Sequence, residues 1–267
     1  MTPCLLVAAM AIESPDQMVA LYAATVDKRL DIPDKEVTAY ANLAIAALNA
    51  VNTLAQAPAN GSHPQFVLLI DRSPKVQAAM LFLIDAASNR SAQLIGASPV
   101  STGRPGGYDY FETPLGVFAH SLANLDFRAE GSKNNYGIRG YGSKGMRVYD
   151  FGWQAAKKTW GNFQISTMRL QMHATDPVVL EPRLGSVQSK GCIRIPATLN
   201  RLLDRYGVLD ADYDIAVAQG RSFWVLDPQR VSTPWSGRYL IVVESSREQR
   251  PIWSPDPPHT KTTHQRP

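Results

Sequence analysis

From Phe66 onward the chain is cut into short apolar runs by turn-forming residues, a spacing that long packed helices cannot satisfy. Phe66 to Asp71, Val76 to Asp85 and Ala92 to Ser98 are the first three runs. Ser73-Pro74 and Ser88-Asn89 divide them, and they read as paired strands. Val76 to Ile84 lacks clean alternation and alone is compatible with a helix; the turn spacing argues for a strand. Met168-Arg169-Leu170-Gln171-Met172-His173 does alternate, so it predicts a strand that delivers His173 at its end. Phe223 to Leu226 and Tyr239 to Val243 read as closing strands. Pro196 suits a helix start, and the pattern through Asn200 to Tyr206 continues it to Gly207.

Ahead of this β-rich part, two helices are expected. Asp16 to Leu30 carries Met18, Leu21, Tyr22, Thr25 and Arg29 at helical spacing, ended by Ile32-Pro33-Asp34. Asp34 then caps Lys35 to Leu54, whose apolar face is Val37, Tyr40, Leu43, Ala44, Ala47, Leu48 and Val51. Packing of this alanine-rich pair on the rest of the chain is expected over packing on a partner. The composition divides the chain into 1–11, a helical segment 12–56, a linker 57–65, a β-rich domain 66–245 and a polar, proline-rich tail 246–267. That tail is expected to be disordered. His63, in the linker, reads as solvated.

The chemistry concentrates between His173 and Arg194. Pro177, Pro182 and Gly185 forbid a continuous helix between the two ends, so strand, excursion and turn bring His173 and Cys192 side by side. A thiol nucleophile needs a base, donors for the oxyanion and a means of holding the acyl donor. His173 offers the base. Gly191 permits a sharp turn, so the amides of Gly191 and Cys192 are candidate oxyanion donors. Ser189 either closes the turn or orients His173, and Arg194 either grips a substrate carboxylate or braces the loop against a carboxylate of the protein. Nearby positive charge from His173 and Arg194 is expected to depress the thiol pKa. For orienting the imidazole, Asp176 and a backbone carbonyl are equal candidates. His120 is a rival base by residue type. Asn134 to Gly142 reads as a long loop on the substrate side, either lining a groove or serving as turn chemistry. Trp153 and Trp160 read as core or edge packing.

Other chemistries fit less well. A net charge of +4, with basic residues scattered rather than striped, argues against nucleic acid and slightly for an anionic surface. No stretch approaches the roughly 18 consecutive apolar residues that span a bilayer. Without an H-x-x-x-H or C-x-x-C pair no metal site is expected, and His259 and His264 stand too isolated for one. Gly103 to Gly107 is glycine-rich, but no Gly-Lys-Ser/Thr follows, so a phosphate loop is not expected. Residues 1–11 form a short apolar run ending in an Ala-x-Ala pattern, which reads as a truncated secretory signal lacking its basic start. Its removal takes Cys4 away and leaves Cys192 as a lone, free thiol.

The set Ser189-Lys190-Gly191-Cys192-Ile193-Arg194 preceded by His173 resembles the signature of the L,D-transpeptidase (YkuD-type) catalytic domain. Ser101-Thr102-Gly103 and Thr113-Pro114-Leu115-Gly116-Val117-Phe118 resemble the segments that lead to that domain's active-site face. The ordered set carries the likeness, which covers Phe66 to Tyr213. Ala174 stands where the family often has glycine and Lys190 where it often has histidine, so residue 190 receives no catalytic role. The resemblance implies a mainly β, sandwich-type catalytic domain across 66–245, with Cys192 and His173 catalytic, Gly191 and Ser189 in the oxyanion turn, and no cofactor. It further implies peptidoglycan stem peptides as donors, opened between meso-diaminopimelate and D-alanine. The acceptor would be a second stem or a wall-anchored protein, and the location the periplasm or cell envelope. Water as acceptor would make the site an L,D-carboxypeptidase. A wall-binding module that keeps the fold without turnover is the alternative from another class.

Overall fold

The computed structural model describes residues 11–55, 63–85 and 91–258. The signal-like residues 1–10 and most of the linker lie outside them. Two mixed sheets, four α-helices and a short 3-10 turn at Glu181–Arg183 account for the regular structure of the described residues, with strands predominating. Strands β1 (Gln65–Asp71), β2 (Ala78–Asp85), β3 (Ser91–Pro99), β4 (Gly116–Ala119) and β9 (Tyr239–Val243) form a five-stranded sheet in the order β3-β2-β1-β9-β4. Strands β5 (Phe127–Arg128), β6 (Arg147–Lys157), β7 (Ile165–Ala174) and β8 (Ile193–Ile195) form a four-stranded sheet in that order. Each sheet holds one parallel pair, β1 with β9 and β7 with β8.

The main core lies between the sheets. Phe66, Leu68, Ile70, Leu240 and Val242 meet Tyr149, Phe151, Leu170, Met172, Ile193 and Ile195 there. The alternate side chains of the five-stranded sheet, Val67, Leu69, Met80, Phe82 and Ile241, pack on its other face against Tyr40, Ala41, Ala44 and Leu48 of helix α2 (Asp34–Ala55). The central strands are therefore covered on both faces. That is why the run before Ile84 shows no alternation: neither face of β2 meets water. Helix α1 (Pro15–Thr25) is set by a capping box between Ser14 and Gln17 and packs on β3. It ends at Thr25 rather than at the expected Leu30, because Val26 turns extended and the Leu30 amide bonds Ala97 of β3 at 2.9 Å.

Three further expectations need correcting or narrowing. Phe223 to Leu226 is a turn, not a strand. Trp153 is 64% exposed on β6, with the Arg169 guanidinium over its ring, which removes the core alternative and leaves edge packing. The tail is ordered as far as residue 258: Trp253 is buried edge-on against Tyr40, and Arg250 donates to the carbonyls of Pro74 and Gly185. Its composition hides the single tryptophan that anchors it. Residues 259–267 lie outside the described set, His259 and His264 among them.

Helix α3 (Ala197–Arg205) follows β8 directly, and α4 (Ala211–Ala218) follows α3. A buried ionic cluster locks both helices to the four-stranded sheet. Arg147, fully buried at the start of β6, donates to Asp126 at 2.6 Å and to both oxygens of Asp210 at 2.8 Å. His120, the rival base, is sealed into this cluster between the Leu209 carbonyl (2.7 Å) and Asp126 (2.9 Å). Burial opposes its charged form, yet the Asp126 carboxylate outweighs that and the pKa lies above the ordinary value. No substrate reaches it there.

Candidate active site

The parallel pairing of β7 with β8 builds the site. Met172 is level with Ile193, His173 with Arg194, and Ala174 with Ile195. Met172, Ile193, Ala174 and Ile195 are fully buried. Strand alternation therefore sends Gln171, His173 and Arg194 to the opposite face of the sheet. Cys192, one step before Ile193, falls on that face too. Chain crossing and register thus place the imidazole and the thiol, 19 positions apart in sequence, on the same face of neighbouring segments.

A third segment holds the turn in place. Ser101 and Arg194 exchange backbone hydrogen bonds of 3.0 and 2.9 Å, and the Ser189 amide donates to Thr102 at 3.0 Å. The buried Thr113 hydroxyl accepts from the Gly103 amide at 2.9 Å and donates to the Gly191 carbonyl at 2.7 Å. Gly191 has φ +131°, and a Cβ there would stand 2.7 Å from Met168 Sδ. Only glycine makes this turn at low cost. Segment 101–103 and Thr113 thus hold the turn, while Gly116–Ala119 continues from Thr113 into β4 and pairs with β9.

Ser189 closes the turn. Its hydroxyl accepts from the Gly191 amide at 3.0 Å and donates to the Cys192 carbonyl at 2.5 Å. This corrects one expectation, since the Gly191 N–H is spent on Ser189 and does not face a substrate oxygen.

His173 is buried, and its Nδ1 lies 2.6 Å from the Ala174 carbonyl. A carbonyl only accepts, so Nδ1 carries the proton and Nε2 is left as the basic atom. Tyr141, from the 134–142 loop, stacks edge-on against the imidazole at 4.7 Å and donates to Gln171 Oε1 at 3.1 Å. Asp176 takes no part in orienting His173. Its carboxylate accepts the amides of Val178, Val179 and Arg139.

The electrostatics reverse the expected direction. Burial pulls His173 down to about 4, with Arg194 adding to the effect against the Ala174 hydrogen bond. Burial pushes the Cys192 thiol above its ordinary value, and the Gln171 amide and Arg194 do not offset this. The resting pair is a neutral thiol beside a neutral imidazole, not a thiolate–imidazolium pair. The thiol is partly exposed and lies 3.9 Å from the Arg169 carbonyl.

Sequence reasoning passed over Thr113 as a hydroxyl, Tyr141 as a stacking partner, and Asp150. The buried Asp150 carboxylate accepts from Arg169 Nε at 2.7 Å and Gln171 Nε2 at 2.8 Å, fixing the two side chains that flank the thiol along β7. The alternation of β7 already puts Arg169 and Gln171 on the face of His173. Their partner on β6 is separated by a bulge between Asp150 and Trp153, which no local pattern announces. Among the described residues no His, Cys, Asp and Glu group suits a metal ion, and no helix is long and apolar enough to cross a membrane.

Fold and site together define a strand-rich α/β chain that carries His173 on β7 and Cys192 in the turn leading into the parallel strand β8. The chain matches no protein-family model and none of the curated proteins.

Proposed function

We propose that the chain is a cysteine acyltransferase of the L,D-transpeptidase (YkuD) type, acting on peptidoglycan stem peptides in the cell envelope. The observation that carries this reading is the His173 hydrogen bond to its own strand, which leaves Nε2 as a base on the face where Cys192 sits. The strand-rich pair of sheets and the ordered motif residues agree with it.

Because both partners rest neutral, proton transfer accompanies attack. The thiol proton passes to His173 Nε2 as Sγ bonds to the donor carbonyl carbon. The Cys192 amide receives the developing oxyanion. Collapse breaks the C–N bond, the imidazolium gives its proton to the leaving amine, and a thioester remains. An acceptor amine then loses a proton to His173 as it attacks the thioester, and the thiol re-forms. Water entering at the same step gives hydrolysis instead.

The test is intact mass spectrometry of the full chain after incubation with a carbapenem, an acylating mimic of the donor. An adduct on Cys192, absent from Cys192→Ala and strongly slowed in His173→Ala, is the expected result. No adduct, with a thiol also slow toward small alkylating reagents, would overturn the reading in favour of a non-catalytic wall-binding module.

A further inference from the structure

We propose that Tyr141 is a positioning residue for the base, its ring held against the His173 imidazole by a hydrogen-bonded line that starts at Asp150 and runs through Gln171. The proposal rests on His173 taking the Cys192 proton and names what keeps that ring in place.

His173 lies at the end of β7, and among the described residues its side chain has one hydrogen bond, from Nδ1 to the Ala174 carbonyl. A single bond sets the tautomer but lets the imidazole pivot about that contact. The Tyr141 ring, 4.7 Å away with 68° between the planes, blocks the pivot. Tyr141 comes from a loop and is 40% exposed, so it needs anchors of its own. Two are steric. The Gly142 backbone, at φ +86°, lies so close to the end of β7 that a Cβ would stand 2.9 Å from the Ala174 Cβ. Phe127 of β5 packs on the Tyr141 ring at 5.5 Å.

The third anchor is polar, and its direction is fixed. The Asp150 carboxylate only accepts, and it is already held by the Gly152 amide at 2.8 Å and Arg169 Nε at 2.7 Å. Gln171 therefore turns its Nε2 to Asp150, at 2.8 Å, which leaves Oε1 to accept the Tyr141 hydroxyl at 3.1 Å. Burial, with the Cys192 charge adding to it, raises the phenol above its ordinary value and keeps it a donor. Its proton is committed to Gln171 and does not compete with the thiol for His173 Nε2. Gln171 also directs its backbone amide at the thiol, so one residue of β7 registers the nucleophile and the packing partner of the base together.

The charged groups facing the imidazole are separate from this line. Arg194, level with His173 on β8, donates from Nη1 to the Gln188 carbonyl at 3.2 Å. No carboxylate among the described residues pairs with it, which removes the expected brace against an acidic side chain. Its charge disfavours the imidazolium. Arg194 and Cys192 both stay in place when Tyr141 is changed.

The experiment follows the His173 ring titration by NMR on the full chain, together with carbapenem acylation of Cys192 by intact mass. In the parent the imidazole is held down to about 4. Tyr141→Leu opens the ring to water, and is expected to raise that midpoint by about one pH unit and slow acylation about tenfold, as for a general base put out of place. Tyr141→Phe keeps the ring and drops the tether, so a smaller shift and a few-fold slowing are expected. Gln171→Leu should match it, and the double variant should add nothing, since both changes cut one line. Alkylation by iodoacetamide in alkali, where solvent ionises the thiol, should be unchanged throughout. Tyr141→Phe removes one partly exposed oxygen, so it decides the matter if Gln171→Leu fails to fold. Slower acylation with an unmoved midpoint would mean that Tyr141 touches the donor, and overturns the proposal. An unmoved midpoint with unchanged acylation also overturns it and leaves His173 standing as the base. A parent chain that takes no adduct overturns the acyltransferase reading, and the positioning role falls with it.

Discussion

At the scale of single residues, the base is the most informative group. His173 titrates near 4 in the folded chain against an ordinary 6.5, because burial disfavours its charge. Between these values the unfolded chain holds a proton that the folded chain does not, so stability rises with pH across that window and is lost as pH falls through it. The expected loss from pH 7 to pH 4 is about 3 kcal/mol from this group. Urea titrations at the two pH values should show that much less pH dependence in His173→Gln than in the parent chain. An equal dependence in both would place the acid sensitivity elsewhere. His173 and Cys192 were legible in the sequence because their roles follow from residue type and local motif. The direction of their pKa shifts was not legible, since it depends on how much water surrounding segments exclude.

At the scale of elements, the turn before β8 depends on segments distant in sequence. Thr113 bridges Gly103 and Gly191 through one buried hydroxyl. Thr113→Val keeps the shape but strands the Gly103 amide and the Gly191 carbonyl, at an expected cost of about 1–3 kcal/mol in urea denaturation. The same variant should slow iodoacetamide labelling of Cys192, because the turn that presents the thiol loosens. Unchanged labelling at reduced stability would separate the bridge from the site. Strand β7 was predicted from alternation because one of its faces carries polar groups. Phe223 to Leu226 was misread as a strand because a short apolar run bounded by turns looks the same in either state.

At the scale of the whole molecule, the tail and the first helices close the structure. Residues 246–258 cross from α2 to the loop at Gly185: Arg247 pairs with Glu36, Trp253 stacks on Tyr40, and Ser254 donates to the Val76 carbonyl. Trp253→Ala is expected to cost about 3 kcal/mol, in keeping with removal of a large buried aromatic. Thermal unfolding followed by circular dichroism would measure it, and a shift of under a degree would show that the strap is decorative. Composition predicted disorder here because polar and proline-rich residues set its average. The binding of the segment rests on a few contacts that an average conceals.

Local sequence alone suffices for the strand-rich texture, the strand that ends in His173, and the glycine turn that presents Cys192. These follow from local sterics and from the period of apolar residues. Which faces are dry follows from the packing of distant segments, and with it the buried β2, the neutral Cys192 and His173, the sealed His120 and the guanidinium of Arg194 without a counter-charge. Each of these depends on which distant groups share a volume from which water is excluded. No window along the chain contains that information.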